Sequence, residues 1–164
     1  MNHASAFDMD AFRPHDHGRC RRAARAAAER ECQARGLRLT PARAFVLDAL
    51  LESHRAMTAY ELLDRLREAG LGKQPPIVYR ALDFLVANGF AHRVERLGAF
   101  VGCVHGADDH RAAFLVCRSC RQVAEAVLEA PPAALTAQAE ATGFAVERVT
   151  VEAEGLCERC RADA

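Results

Sequence analysis

No stretch of this 164-residue sequence approaches the ~18 consecutive apolar residues that a membrane-spanning helix needs. The N-terminus, with Asp8, Asp10, His15 and Asp16, lacks the apolar core of a secretion signal. Both absences point to a cytoplasmic protein without a membrane partner. Net charge is missing as well, since 22 Lys and Arg offset 22 Asp and Glu. No internal repeat occurs beyond a recurring Cys-x-x-Cys. The seven cysteines are an odd number that fits poorly with complete disulfide pairing, and in a reducing compartment they argue for metal ligation or redox chemistry. A half-apolar composition can supply the core of one ordinary domain or two small ones, and small units often need a metal staple.

The zero net charge conceals an asymmetry. Residues 1–100 hold 16 Lys and Arg against 12 Asp and Glu, whereas residues 101–164 hold 6 against 10. A front half four positive and a back half four negative is compatible with a polyanion-binding unit joined to an acidic one.

Residues 1–18 lack periodicity and read as a solvated tail, with His3, His15 and His17 as the alternative makings of an extra metal site. Arg19 to Arg35 is Ala- and Arg-rich and stops at Gly36, as a helix should. Thr40-Pro41 opens a second helix that carries Phe45, Val46, Ala49 and Leu50 to about Ser53. Thr58-Ala-Tyr-Glu61 is a capping box for a third, with Leu62, Leu63 and Leu66 on its apolar side. Pro75 and Pro76 open a fourth through Val78, Leu82 and Leu85, ending at Asn88-Gly89. Its other face shows Tyr79, Arg80 and Asp83, which suits a DNA groove as well as an ordinary solvated surface. From Phe90 to Cys103 alternation on both sides of Leu97-Gly98 predicts a hairpin. With a two-residue loop there, Arg96 pairs with Ala99 and His92 faces Cys103. Helices followed by a hairpin make a winged helix. The expected organisation is a tail over 1–18, a winged-helix unit over 19–103, a hinge over 104–111 and an α+β unit over 112–164. The last comprises a strand at Ala112–Val116, its partner at Gln122–Val127, a helix at Pro131–Thr142, and a strand at Phe144–Glu152 with a bulge near Arg148.

Cys117-Arg-Ser-Cys120 and Cys157-Glu-Arg-Cys160 are a strong zinc signal, because each short turn fixes two thiolates and four close a tetrahedral shell. The 36 residues between the pairs leave room for an inserted helix and strand. A closed shell has no open position, which makes such a site structural. Neither pair has the strand-to-helix context of a redox dithiol. His92, Cys103, His110 and Glu125 form a second mixed set, with His105, Asp108 and Asp109 near enough to compete. Singly, Glu125 reads as a solvated strand residue and Cys103 as a small buried hydrophobe. Jointly they straddle wing and C-terminal unit, where a metal would clamp the two. A thiolate in that set favours zinc over iron or manganese.

Arg38-Leu-Thr-Pro-Ala-Arg43, Ala59-Tyr-Glu-Leu-Leu-Asp64, Pro76-Ile-Val-Tyr-Arg-Ala-Leu-Asp-Phe-Leu85, Gly89-Phe-Ala-His92, Cys117-x-x-Cys120 and Gly155-Leu-Cys-x-x-Cys160 occur in one order over residues 20–160. In these segments the chain resembles the ferric uptake regulator family, and within it the zinc uptake regulators (Zur). That resemblance implies a homodimeric repressor whose winged helix binds AT-rich inverted-repeat operators of zinc uptake genes and whose C-terminal domain dimerises. It also implies two Zn2+ per subunit: a structural ion on Cys117, Cys120, Cys157 and Cys160, and a regulatory ion on His92, Cys103, His110 and Glu125. Tyr60 and Arg80 fall where the family contacts DNA, with Tyr79 beside them, and Arg43 and Arg93 are expected on phosphates. Departures from the family are a longer N-terminal segment, no His-rich extension after Cys160, and a thinned His-rich stretch, Val104-His-Gly-Ala-Asp-Asp-His110. The rival readings are an iron or peroxide sensor of the same family, against which Cys103 argues, and a zinc carrier or store. An enzyme is not expected: a zinc deaminase needs His-x-Glu and Pro-Cys-x-x-Cys, and no proline precedes either thiol pair.

Overall fold

The computed structural model describes residues 9–104, 111–128, 130 and 132–163. Capping chemistry sets its first four helices. Asp16 accepts from the Arg19 amide at 3.0 Å and opens α1 (His17–Ala34). Thr40 accepts from the Arg43 amide at 3.4 Å, with Pro41 at the first position of α2 (Pro41–Leu51). Thr58 and Glu61 complete the reciprocal box that starts α3 (Ala59–Glu68), and Pro75 starts α4 (Pro75–Ala87). The apolar faces of these helices meet in one core, in which Leu47, Leu50, Leu62, Leu66, Val78, Leu82 and Leu85 are all fully buried. Each contributes about 1.5–3 kcal/mol relative to exposure.

The N-terminal segment departs from the expected tail. Residues 9–18 form a 3-10 turn, Met9–Phe12, followed by the start of α1. Ala11 is buried, and the turn lies against a strand of the C-terminal unit, so apolar contact replaces solvation.

The wing is an antiparallel pair, β1 (Ala91–Val94) and β2 (Ala99–Gly102), but its register differs from the expected one. Val94 pairs with Ala99 and His92 with Val101, and the connection is a 3-10 turn at Glu95–Leu97 closed by left-handed Gly98. The cause lies far along the chain: the Glu152 carboxylate accepts from the Glu95 and Arg96 amides at 2.7 and 2.8 Å and so holds the longer loop. His92 and Cys103 therefore lie diagonally on one face instead of directly opposite.

In the C-terminal unit β3 (Arg111–Cys117) is central. It pairs antiparallel with β4 (Val123–Leu128) and parallel with β5 (Val151–Gly155). Helices α5 (Ala133–Ala141) and α6 (Glu158–Ala162) complete it. The strand expected from Phe144 begins only at Val151, because the ladder on β3 starts at Ala113 and the preceding residues run past it. Phe144 and Val146 are left exposed, and no bulge forms at Arg148.

The two units share more than a linker. The Ala56 amide donates to the Arg121 carbonyl at 3.0 Å, and the Val123 amide to the His54 carbonyl at 2.9 Å. Ala56, Val94, Ala99 and Val101 from the front form a second core with Phe114, Val116 and Val123 from the back. Arg121 also reaches Glu61 at 3.5 Å. The Glu61 carboxyl is held below its ordinary range mainly by the Thr58 amide, with further help from Arg121 and Arg55.

One glycine fixes how closely the wing meets α2. A Cβ at Gly102 would lie 2.6 Å from Leu51 Cδ2 and 3.4 Å from the Leu50 backbone. Gly102→Ala is expected to cost about 1–3 kcal/mol through overpacking, read as a lower urea midpoint with an unchanged slope.

Candidate metal centres

Parallel pairing brings the two thiol pairs together. Cys117, at the end of β3, stands opposite Gly155 of β5, so Cys157 follows two residues later beside the first pair. The turn Cys117–Cys120 is closed by the Arg121 amide donating to the Cys117 carbonyl at 2.9 Å, with Arg121 itself left-handed at φ 61. The ligand atoms of all four cysteines lie within 4.8 Å of one another, and Cys120 Sγ is 3.9 Å from Cys157 Sγ. Two sulfurs on one tetrahedral zinc stand about 3.8 Å apart, given Zn–S near 2.3 Å. The thiols are unequal before any metal arrives. Burial would raise Cys117, but the amides of Cys120, Cys157 and Ser119 outweigh it and bring its pKa down to about 6. Burial and the neighbouring thiols push Cys120 up to about 12. A dication would favour the thiolate form of all four.

The second group sits at the joint. His92 on β1, Cys103 just past β2 and Glu125 on β4 have ligand atoms within 4.8 Å of one another. His92 Nε2 is 2.9 Å from Glu125 Oε1, and Cys103 Sγ is 3.8 Å from the same oxygen. Glu125 is the buried charged side chain among the described residues, 5% exposed. A carboxylate this deep is costly without a cation. Nitrogen, sulfur and oxygen at these spacings fit the shell of one small dication. His110, the fourth expected ligand, and its competitors His105, Asp108 and Asp109 lie outside the described residues.

Of the expected DNA-facing residues, Tyr60 near the start of α3 is 72% exposed, and Tyr79 and Arg80 stand on the open face of α4. Arg93 is exposed on the wing and paired with Glu95 at 3.1 Å. Arg43 differs: its guanidinium lies 3.8 Å above the Phe84 ring and donates to the Arg38 carbonyl at 2.7 Å. Those contacts give it a packing role between α2 and α4.

A third group joins His15, His17, Cys20 and His54, again with ligand atoms within 4.8 Å. Sequence reasoning held His3, His15 and His17 as an alternative to a tail and missed Cys20 and His54; His3 lies outside the described residues. The spacing His17-x-x-Cys20, one turn of a helix, was the available signal. His54 carried none, since it reaches the others only through the fold.

A sequence profile of the ferric uptake regulator family matches residues 34–154. The chain belongs to that family. Among relatives of this regulator, the zinc uptake regulation protein of Escherichia coli (strain K12) is 41% identical over 136 residues, which are 82% of this chain and 80% of that protein. A zinc uptake regulator complexed with zinc and DNA superposes with a TM-score of 0.77 at 38% identity, covering 92% of this chain and 98% of that one. The holo form of XcZur gives 0.73 at 46% identity, covering 84% and 96%; its apo form gives 0.50 at 43% identity, covering 87% and 99%. Family members of this kind are transcription regulators, and this one is not an enzyme.

Zinc held by four thiolates is worth about 10–16 kcal/mol in small metallo-domains, comparable to a whole domain's stability of about 5–15. Cys157→Ser is therefore expected to lose one metal equivalent per chain and the cooperative melt of the C-terminal unit. A variant with full metal content and an unchanged melt would contradict the four-thiol site.

Proposed function

We propose that this regulator is a zinc-responsive transcriptional repressor that works as a homodimer in the cytoplasm and binds AT-rich inverted-repeat operators of zinc uptake genes with zinc as corepressor. Two zinc ions per subunit serve different ends. Cys117, Cys120, Cys157 and Cys160 hold a structural one, and His92, Cys103 and Glu125, with His110, hold the regulatory one.

The observation that carries this reading is the origin of the second ligand set. His92 and Cys103 ride on the wing, while Glu125 rides on the sheet of the C-terminal unit. These side chains come within reach only when the wing lies on β3 and β4, as it does here. Zinc bound there supplies two positive charges that offset the Cys103 thiolate and the Glu125 carboxylate. The likeness to the holo form of XcZur exceeds that to its apo form, 0.73 against 0.50, which supports reading this arrangement as the metal-bound one. To move the population from 1:99 to 99:1, the ligands must bind metal about 10⁴-fold more tightly when converged than when apart.

On the DNA side, Arg80 and Tyr79 reach out from α4 and Tyr60 from α3, with Arg93 on the wing. An Arg on a major-groove helix suits bidentate bonding to a base edge, whereas a wing Arg suits phosphate. Exposed Phe144, Val146 and Leu135 give the C-terminal unit an apolar face for a second copy.

Cys103→Ser is expected to leave the dimer folded and abolish operator binding across buffered free zinc in a gel-shift titration. Wild-type zinc dependence in this variant contradicts the regulatory assignment. Arg80→Ala is expected to weaken operator binding by about 5- to 100-fold and relax sequence choice, while Arg93→Ala lowers affinity for all sequences and reduces the salt slope by about one. Fluorescence anisotropy on operator and scrambled duplexes separates the two effects.

A further inference from the structure

We propose that His15, His17, Cys20 and His54 form a third zinc site, which fastens the N-terminal segment across the joint between the two units. Neither site described above uses these residues.

The spacing of the inner nitrogens is the first argument. His15 Nε2 stands 3.0 Å from His54 Nε2 and 3.4 Å from His17 Nδ1. Two imidazole nitrogens on one tetrahedral zinc are separated by about 3.3 Å, given Zn–N near 2.0–2.1 Å. The second argument concerns the outer nitrogens. His15 Nδ1 is 3.0 Å from the Arg13 carbonyl, and His17 Nε2 is 3.0 Å from the Leu51 carbonyl. A carbonyl only accepts, so both outer nitrogens carry protons, and in the neutral rings the inner nitrogens present lone pairs to each other. A histidine that donates outward to a backbone carbonyl and turns its lone pair inward is arranged as metal-binding histidines are. Asp16, between the two, is already engaged with the Arg19 amide as the cap of α1. Cys20, one turn into that helix, supplies the sulfur, and three imidazoles with one thiolate make a complete zinc shell. All four residues are half-buried, so metal can enter from solution.

The location gives the site a consequence. The His54 carbonyl accepts from Val123 across the joint, and Met9–Phe12 lies against β4, the strand that carries Glu125. A chain segment pinned to His54 at one end and seated on β4 at the other is a strap over the closed arrangement. Metal in this site thus favours the same state as metal at His92, Cys103 and Glu125. This coupling to DNA rests on the repressor reading, whereas the existence of the site does not.

The test uses the full-length dimer carrying Cys103→Ser, with zinc retained on the four-thiol site, titrated with cobalt(II). The expected spectrum shows tetrahedral d–d bands and thiolate-to-cobalt charge transfer. Adding Cys20→Ser removes the charge transfer, and adding His54→Gln weakens the d–d bands. Absence of a thiolate-to-cobalt band, or its persistence after Cys20→Ser, overturns the site. In the otherwise wild-type protein, His17→Ala with His54→Gln is expected to raise the free zinc for half-maximal operator binding by about fivefold or more. An unmoved midpoint overturns the strap. If the wild-type protein binds no operator at any zinc level, the repressor reading fails while the cobalt spectra still decide the site.

Discussion

A buried carboxylate governs this structure. Glu125 is buried on β4, and two groups against its carboxylate, His92 and Cys103, come from a different folding unit. Burying a carboxylate is costly unless hydrogen bonds or a cation offset it, and removing the partner of a buried charge costs several kcal/mol. On the proposed reading, a cation at this site holds the wing on the sheet, and its loss favours their separation. The remaining parts either build the two faces that meet there or carry the outcome to DNA.

On that reading the four-thiol site is the precondition. The parallel pairing of β3 and β5 gathers the four thiols at the end of β3, the strand on which β4 and Glu125 are laddered. The same unit supplies Glu152 on β5, which shapes the wing loop, and Arg121 in the turn between β3 and β4, whose carbonyl and guanidinium both reach the front unit. On the proposed reading, staple and switch are mechanically in series. Loss of a metal from the four thiols would then loosen the surface on which the regulatory site is proposed to assemble.

What could be read from the sequence was what local chemistry decides. Thr40-Pro41, the Thr58–Glu61 box and Asn88-Gly89 mark helix ends by caps that act within a few residues, and they appear where expected. The two thiol pairs announce themselves by spacing. What failed depended on distant partners. The wing register turns on Glu152, 57 residues from the Glu95 amide it accepts, and the late start of β5 depends on where the β3 ladder begins. The N-terminal segment looked solvated because its anchors, β4 and His54, lie far along the chain. Nothing local announced the Phe84 ring beneath Arg43.

Amide hydrogen exchange across the joint tests the central claim most directly. In protein with the four-thiol site loaded, the Ala56 and Val123 amides, which bridge the units, should be protected when the His92, Cys103 and Glu125 site is filled with zinc. They should exchange at least about tenfold faster when that site alone is emptied, while amides within α2 and β3 stay unchanged. Equal protection in both states would contradict the account, because the joint would then be closed whether or not the metal is bound.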